Sequence, residues 1–111
     1  MIKVKIFLDD YRYANSRIFG YNRIWAYSDC IALIDAFKDD LEFISLDYHL
    51  GLTQTGYDVL VYMHERNIHP KHINIHTDDK DSSMEMLEFA EKHFPNTAIT
   101  QNKIPKDYTE P

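Results

Sequence analysis

The sequence predicts one α/β domain built on a five-stranded parallel sheet. Short apolar runs alternate along the chain with segments whose apolar residues recur about every three to four positions, the spacing of a helix. Strands that alternate with helices favour a parallel sheet joined by right-handed crossovers. A chain of 111 residues is long enough for one domain with a core and too short for two ordinary ones. We therefore expect a single domain over residues 1–111.

Two strands and one helix are expected in the first part of the chain. The apolar stretch at 3–8 indicates the first strand, and "RIWAY" at 23–27 indicates the second. Ser28 is a natural N-cap for a helix near 29–38. Residues 11–22 show no apolar stripe, so we expect a reduced, irregular first helix there. The stripe on the helix after Ser28 consists of Cys30, Ile31, Ile34 and Phe37.

The middle of the chain predicts a buried strand followed by a capped helix. The strand covers residues 42–47 and ends on a carboxylate. Thr55 and Asp58 have the spacing of a capping box, which places the start of a helix near 56–66. The apolar face of this helix is formed by Val59, Leu60 and Met63.

The last part of the chain repeats the strand and helix pattern once more. "HINIHT" at 72–77 alternates polar and apolar residues like a strand. Apolar residues at helical spacing predict a helix near 82–93, and "TAIT" at 97–100 a final short strand. Residues 102–111 carry two prolines and no amphipathic repeat, so we expect an irregular tail in place of a full closing helix.

Charge and cysteine content exclude several classes of protein. Twelve basic against eighteen acidic residues give a net charge of -6, which opposes binding to duplex DNA because that needs a basic surface. The single cysteine, Cys30, has no partner for an internal disulfide. The opening "MIKVKIFLDD" has too short an apolar run for a signal peptide, and no stretch reaches the length of a membrane span. We expect a soluble, cytoplasmic protein without a membrane partner.

Carboxylates stand at the ends of two predicted strands. Asp9 and Asp10 follow the first strand, and Asp47 ends the third. In the flavodoxin-like strand order 2-1-3-4-5 these two strands are neighbours at the switch point, where ligands bind. Three converging acids predict a site for Mg²⁺ or Mn²⁺, which takes carboxylate and phosphate oxygens. The alternative is that these acids only cap turns.

One histidine has the position of a functional residue. His76 lies at a strand exit beside Thr77, where an imidazole can hold a phosphate or transfer a proton. A zinc cluster of His69, His72 and His76 is a weaker interpretation, because no cysteine pair supports it.

The segment after the first acids offers further ligand contacts. Arg12 has a guanidinium that can grip a phosphate or pair with an Asp. The aromatic residues nearby can stack on a base or simply cover the sheet edge. They are Tyr11, Tyr13, Phe19 and Tyr21.

Short motifs at these strand ends resemble the receiver domain of response regulators, a three-layer flavodoxin-like fold. They are "LDD" at 8–10, "LD" at 46–47, "HT" at 76–77 and a Lys after the last strand. The resemblance implies that Asp9 and Asp10 bind Mg²⁺ and that Asp47 accepts a phosphoryl group. It also implies that Thr77 and Lys103 contact the phosphate, with Lys106 as a competitor for the role of Lys103.

A narrower group, the cyclic-phosphate processing receiver domains, is more similar still. The motifs that carry this resemblance are "IFLDDYR", "ISLDYHLG", "TGYDVL" and "INIHT". The family is proposed to act on cyclic phosphates of nucleotides or RNA. Two departures stand out: Tyr48 and His49 replace a His-Asp pair, and "DDKDSS" at 78–83 replaces an Asn-containing turn. His49 would then supply an imidazole one position away from that of the family.

Three functions follow from these features. In the first, the domain is a metal-dependent phosphodiesterase for the cyclic phosphate of a nucleotide or RNA end, with Asp47, His76 and His49 as catalytic residues. Alternatively, Asp47 is itself phosphorylated and the domain signals to a protein partner. In the third, the pocket binds a nucleotide or docks on a protein without catalysis.

Overall fold

The computed structural model describes residues 3–9, 21–24, 26–50 and 53–102, with the backbone alone at 21–23. These residues form five strands and three helices. The strands are β1 (Val4–Leu8), β2 (Tyr21–Ile24), β3 (Leu41–Leu46), β4 (His72–Ile75) and β5 (Ala98–Gln101). The helices are α1 (Tyr27–Ala36), α2 (Gly56–Glu65) and α3 (Lys80–His93).

All five strands pair in parallel, in the order β2-β1-β3-β4-β5. The predicted α/β architecture with a parallel sheet is therefore confirmed. β1 and β3 are neighbours, with Leu8 opposite Leu46. The next residues, Asp9 and Asp47, consequently leave the sheet side by side, and the Asp47 backbone N–H donates to the Leu8 carbonyl at 3.0 Å.

The start of α1 differs from the prediction. β2 ends at Ile24, and α1 begins at Tyr27 with Ala26 as its N-cap, so Ser28 is not the cap. Tyr27 packs against the core, which brings the first turn forward, and the Cys30 N–H already donates to the Ala26 carbonyl at 3.1 Å. Packing has overridden a local capping preference.

The other two helices begin on capping side chains. The capping box of α2 is confirmed, because Thr55 and Asp58 exchange hydrogen bonds between side chain and backbone. α3 begins at Lys80 rather than near residue 82, because the Asp79 carboxylate accepts from two backbone N–H groups of the first turn. The hydrogen bond from the Ser82 hydroxyl, together with these backbone bonds and one from the His49 side chain, lowers the pKa of Asp79 below its usual value.

One face of the sheet builds the hydrophobic core. Every second residue of the central strands packs against α1, α2 and α3 on this face, as the two-residue period of a strand requires. The central contributions are Val4, Ile6 and Leu8 from β1, Ile44 and Leu46 from β3, and Ile73 and Ile75 from β4. Cys30 of α1 lies in this core, where burial raises the pKa of its thiol to about 12.

The opposite face of the same strands is polar and aromatic. Ser45, Asn74 and Thr100 lie opposite one another on β3, β4 and β5, and we call them the polar row. Ser45 and Asn74 are buried, as are the aromatic residues Phe7 and Phe43 beside them.

Two expectations lie outside the described residues. The reduced first helix falls mainly in residues 10–20, and the irregular tail falls mainly in residues 103–111. No helix in the part of the chain that the structure describes is long and apolar enough to cross a membrane.

Candidate metal and phosphate site

Two carboxylates and an imidazole meet at the carboxyl ends of β1, β3 and β4. Asp9, Asp47 and His76 each follow the last residue of a strand. All three are buried, and one potential ligand atom from each lies within 4.8 Å of the others. Among the described residues this is the one group of three or more such side chains. The structure therefore brings together Asp9, Asp47 and the predicted histidine.

Asp47 is held by its own turn and by the start of α2. The Tyr48 backbone N–H donates to Asp47 Oδ1 at 2.8 Å, which orients the carboxylate. Gly56, the first residue of α2, packs against the Asp47 peptide, and its N–H donates to the Tyr48 carbonyl at 3.0 Å. A Cβ at this glycine would lie 1.9 Å from the Asp47 carbonyl oxygen. Only a residue without a side chain permits this approach.

His76 is fixed on three sides. Its Nε2 lies 3.1 Å from Asp9 Oδ2, and its Nδ1 lies 2.6 Å from Ser45 Oγ. The Phe7 ring stacks on the imidazole, with centroids 4.4 Å apart and planes inclined by 10°. The ring is therefore restrained in both position and orientation, with one nitrogen towards the carboxylates and the other towards the polar row.

The charges at this site suit a hard divalent cation. Two unit charges about 5 Å apart repel by roughly 1 to 3 kcal/mol at effective dielectric constants between 80 and 20. Asp9 and Asp47 are 0% and 7% exposed, so water screens this repulsion poorly. Mg²⁺ and Mn²⁺ prefer carboxylate oxygens and keep further positions for water or phosphate oxygens. The residues present fit such an ion.

Thr77 lies at the same end of the sheet. It follows His76, is 4% exposed, and its Oγ1 accepts a hydrogen bond from the Asp79 backbone N–H at 3.3 Å. Its hydroxyl proton can be donated to a phosphate oxygen.

His49 lies at a different place from the buried group. Its side chain is 67% exposed, and its Nε2 contacts Asp79 Oδ2 at 3.4 Å. This contact joins the loop after β3 to the loop after β4. The His49 imidazole is thus exposed to solvent and is not part of the buried group.

The other histidines of the predicted zinc alternative do not join His76. His69 Nε2 lies 2.9 Å from Asn67 Oδ1, and His72 Nε2 lies 2.8 Å from Thr100 Oγ1. His72 and His76 share the polar face of β4, but only His76 reaches the carboxylates. Asp10, Arg12, Lys103 and Lys106 lie outside the described residues.

Sequence reasoning gave no role to three residues that shape this site. They are Phe7, Ser45 and Asn74. Ser45 was detectable, because it is a hydrogen-bonding side chain inside the apolar run "FISL" at 43–46, whereas Asn74 is one of several polar residues in an alternating strand. Phe7 could not be told from an ordinary core residue.

Comparison with known proteins agrees with this geometry. The family model of the cyclic-phosphate processing receiver domain matches residues 4–92 of this sequence, about four-fifths of the chain. No curated protein and no solved structure matches this protein. The matched range contains Asp9, Asp47, His76, α1, α2 and all of α3 except its last residue. With acids and imidazole gathered at the strand ends of a parallel α/β sheet and a family match over most of its length, the chain belongs to the cyclic-phosphate processing receiver domain family.

Proposed function

We propose that this domain is a metal-dependent phosphodiesterase that opens the cyclic phosphate of a nucleotide or of an RNA end. The observation that carries the proposal is the buried group of Asp9, Asp47 and His76 at the carboxyl edge of the sheet. Carboxylate oxygens that converge this closely are the ligands that a hard divalent cation prefers. The family match supports a phosphate ester as the ligand.

The carboxylates would hold Mg²⁺ or Mn²⁺ through Asp9 and Asp47, with Asp10 as a third acid. When bound, the ion neutralises charge on a phosphate oxygen and lowers the barrier to attack at phosphorus. The remaining phosphate oxygens would be contacted by Thr77, Arg12 and Lys103.

His76 is the proton-transferring residue of this proposal. Water forms a bond to phosphorus, and one ester bond of the ring breaks. The leaving oxygen takes the Nε2 proton of the imidazolium form of His76, which leaves the neutral imidazole. One proton of the attacking water passes to solvent, from which His76 regains its proton, and the second water proton stays with the new monoester. The His49 side chain is exposed, so its imidazole can pass a proton to solvent.

The experiment is a panel of 2′,3′-cyclic and 3′,5′-cyclic nucleotides and an RNA with a cyclic phosphate end, each incubated with the protein and Mg²⁺ or Mn²⁺. We expect ring opening that EDTA stops. Asp47→Asn should abolish it, and His76→Ala should lower the rate by about 100-fold or more. Asp35→Asn is the matched control, because Asp35 is a surface acid that accepts from the Tyr62 hydroxyl on α2.

Two other outcomes would replace this proposal. If acetyl phosphate labels Asp47 and no member of the panel is turned over, the domain is a phosphoacceptor that signals to a protein partner. If there is neither labelling nor turnover but cyclic nucleotides bind in calorimetry, the domain is a binding module.

A further inference from the structure

A continuous chain of hydrogen-bonded side chains runs across the polar face of the sheet and ends at the carboxylates. The His72–Thr100 and Thr100–Asn74 bonds are both 2.8 Å. Asn74 Nδ2 lies 3.0 Å from Ser45 Oγ, which in turn lies 2.6 Å from His76 Nδ1. The last bond joins His76 to Asp9 at 3.1 Å.

The sheet register builds this chain. Ser45, Asn74 and Thr100 are direct neighbours on three adjacent parallel strands. Side chains at matched positions on one face of a sheet lie within reach of each other. The serine is 0% exposed and the asparagine 1%, so their hydrogen-bonding groups are satisfied within the protein. The polar row is therefore a fixed part of the sheet.

The donors along the chain all point in one direction. A hydroxyl has one proton, and that of Thr100 goes to Asn74 Oδ1, so Thr100 accepts from His72. The Asn74 amide donates to Ser45, whose hydroxyl proton is then available to His76 Nδ1. With Nδ1 as the acceptor, a neutral His76 carries its proton on Nε2, the nitrogen that faces Asp9.

We propose that Ser45 is a positioning residue that holds His76 with its proton on Nε2, directed at the carboxylates and at the phosphate expected there. An effect of Ser45 on catalysis rests on the proposed function, because His76 gives a proton to a leaving oxygen only if the domain is that phosphodiesterase. The placement of the proton itself does not depend on that function.

The chemistry of the hydrogen-bonded side chains excludes two other roles for them. Ser45 sits beside His76 and Asp9 as in a nucleophilic triad, but it is fully buried and already accepts from Asn74. It has no access to a substrate. The hydrogen-bonded chain of side chains is also not a proton wire. The Asn74 amide donates from its nitrogen and accepts at its oxygen, and it does not pass a proton from one atom to the other.

The proton position also determines which atoms can bind a metal. An imidazole nitrogen that carries a proton is not a ligand. The ligand atoms that remain from this group are the oxygens of Asp9 and Asp47. By keeping a proton on His76 Nε2, the hydrogen bonds through Ser45 thus favour an oxygen-bound ion such as Mg²⁺ over Zn²⁺, which prefers imidazole.

Nitrogen-15 NMR of histidine-labelled protein at pH 8, without metal or substrate, tests the inference. His76→Gln assigns the signals, and long-range couplings show which ring nitrogen carries the proton. Because Asp9 also favours a proton on Nε2 by accepting from it, the decisive variant is Asp9→Ala. We expect His76 to keep the proton on Nε2 in the wild type and in Asp9→Ala. In Asp9→Ala/Ser45→Ala we expect a mixture of both tautomers.

Asp9→Ala/Ser83→Ala is the matched control. Ser83 is another buried serine, whose hydroxyl accepts from Gln101 and does not contact His76. This control should keep the proton on Nε2. A coupling between the Ser45 hydroxyl proton and His76 Nδ1 in the wild type is a second measurement that needs no variant.

Three results would overturn the inference. A proton on Nδ1 in the wild type would mean that the Asn74 amide has the opposite orientation and that every donor in the chain is reversed. A proton that moves to Nδ1 in Asp9→Ala would show that Asp9 alone sets the tautomer. An absent hydroxyl coupling would break the link to Ser45.

Activity adds a separate measurement. If the proposed function holds, Ser45→Ala should lower turnover by about 10-fold, and Ser45→Thr, which keeps the hydroxyl, should restore most of it. A wild-type protein with the proton on Nε2 and no turnover of any cyclic phosphate would overturn the proposed function and leave the positioning role of Ser45 intact.

Discussion

The two faces of β4 differ although they belong to the same short strand. Ile73 and Ile75 face the helices and are fully buried in the core. His72, Asn74 and, just after the strand, His76 face the other way and join the hydrogen-bonded chain. One face contributes apolar area removed from water, and the other contributes directional bonds between buried polar groups.

This difference separates what holds the fold from what prepares the site. Loss of a methyl group on the apolar face costs stability in proportion to the cavity it leaves, and it does not redirect a proton. Loss of one group on the polar face leaves buried partners unsatisfied and alters the orientation of the rest. Variants on the two faces should therefore fail in different measurements.

The largest expected effect on stability comes from the apolar face. Ile73→Ala removes a fully buried side chain between the sheet and the helices and should lower the free energy of unfolding by about 3 kcal/mol. Urea unfolding measures this loss. Mg²⁺ should still raise the melting temperature of this variant, because the carboxylates are unchanged and a ligand of the folded state stabilises it by mass action.

The matched variant on the site is Asp47→Asn. Without metal it should remain folded, because Asn has the size of Asp and keeps an oxygen that accepts from the Tyr48 N–H. It should lose most of the response to Mg²⁺, as should Asp9→Asn and Asp10→Asn. An equal Mg²⁺ response in Ile73→Ala and Asp47→Asn would show that the cation binds elsewhere.

A smaller effect is expected where the two regions meet, at Gly56. Gly56→Ala places a Cβ 1.9 Å from the Asp47 carbonyl oxygen, so either α2 or the loop after β3 must move. We expect a loss of about 1 to 3 kcal/mol in urea unfolding, the usual cost of overpacking, together with a weaker response to Mg²⁺. Glu65→Ala, at an exposed position in the last turn of the same helix, is the comparison. A Gly56→Ala protein with wild-type stability and Mg²⁺ response would mean that the close contact is not required.

The sequence predicted the apolar face better than the polar one. The two-residue spacing of Ile73 and Ile75 identifies a strand and its buried side. The carboxylate of Asp47 after an apolar run is enough to mark the end of another strand. The partners of Ser45 lie 29 and 31 positions away along the chain, and no local pattern specifies such pairing. The start of α2 was predictable because the sequence shows the capping pair of Thr55 and Asp58. The start was misplaced for α1, where packing decides, and for α3, whose Asp79 cap stands among other acids in the sequence.

The smallest expected effect tests the far end of the hydrogen-bonded chain through pH. Burial lowers the pKa of His72 below its usual 6.5, so the unfolded chain takes up a proton at a higher pH than the folded one. The stability that neutral His72 contributes is complete above about pH 6.5 and is lost as the pH falls below that value. His72→Gln keeps an amide N–H that can donate to Thr100 but does not titrate. Urea unfolding from pH 7.5 to 5 should therefore show a steeper loss in the wild type than in His72→Gln. His93, whose pKa is also lowered, is present in both proteins and cancels in the difference. If the two proteins lose stability in parallel over this range, His72 does not titrate differently on folding, and the polar face is no more sensitive to acid at this end than the apolar one.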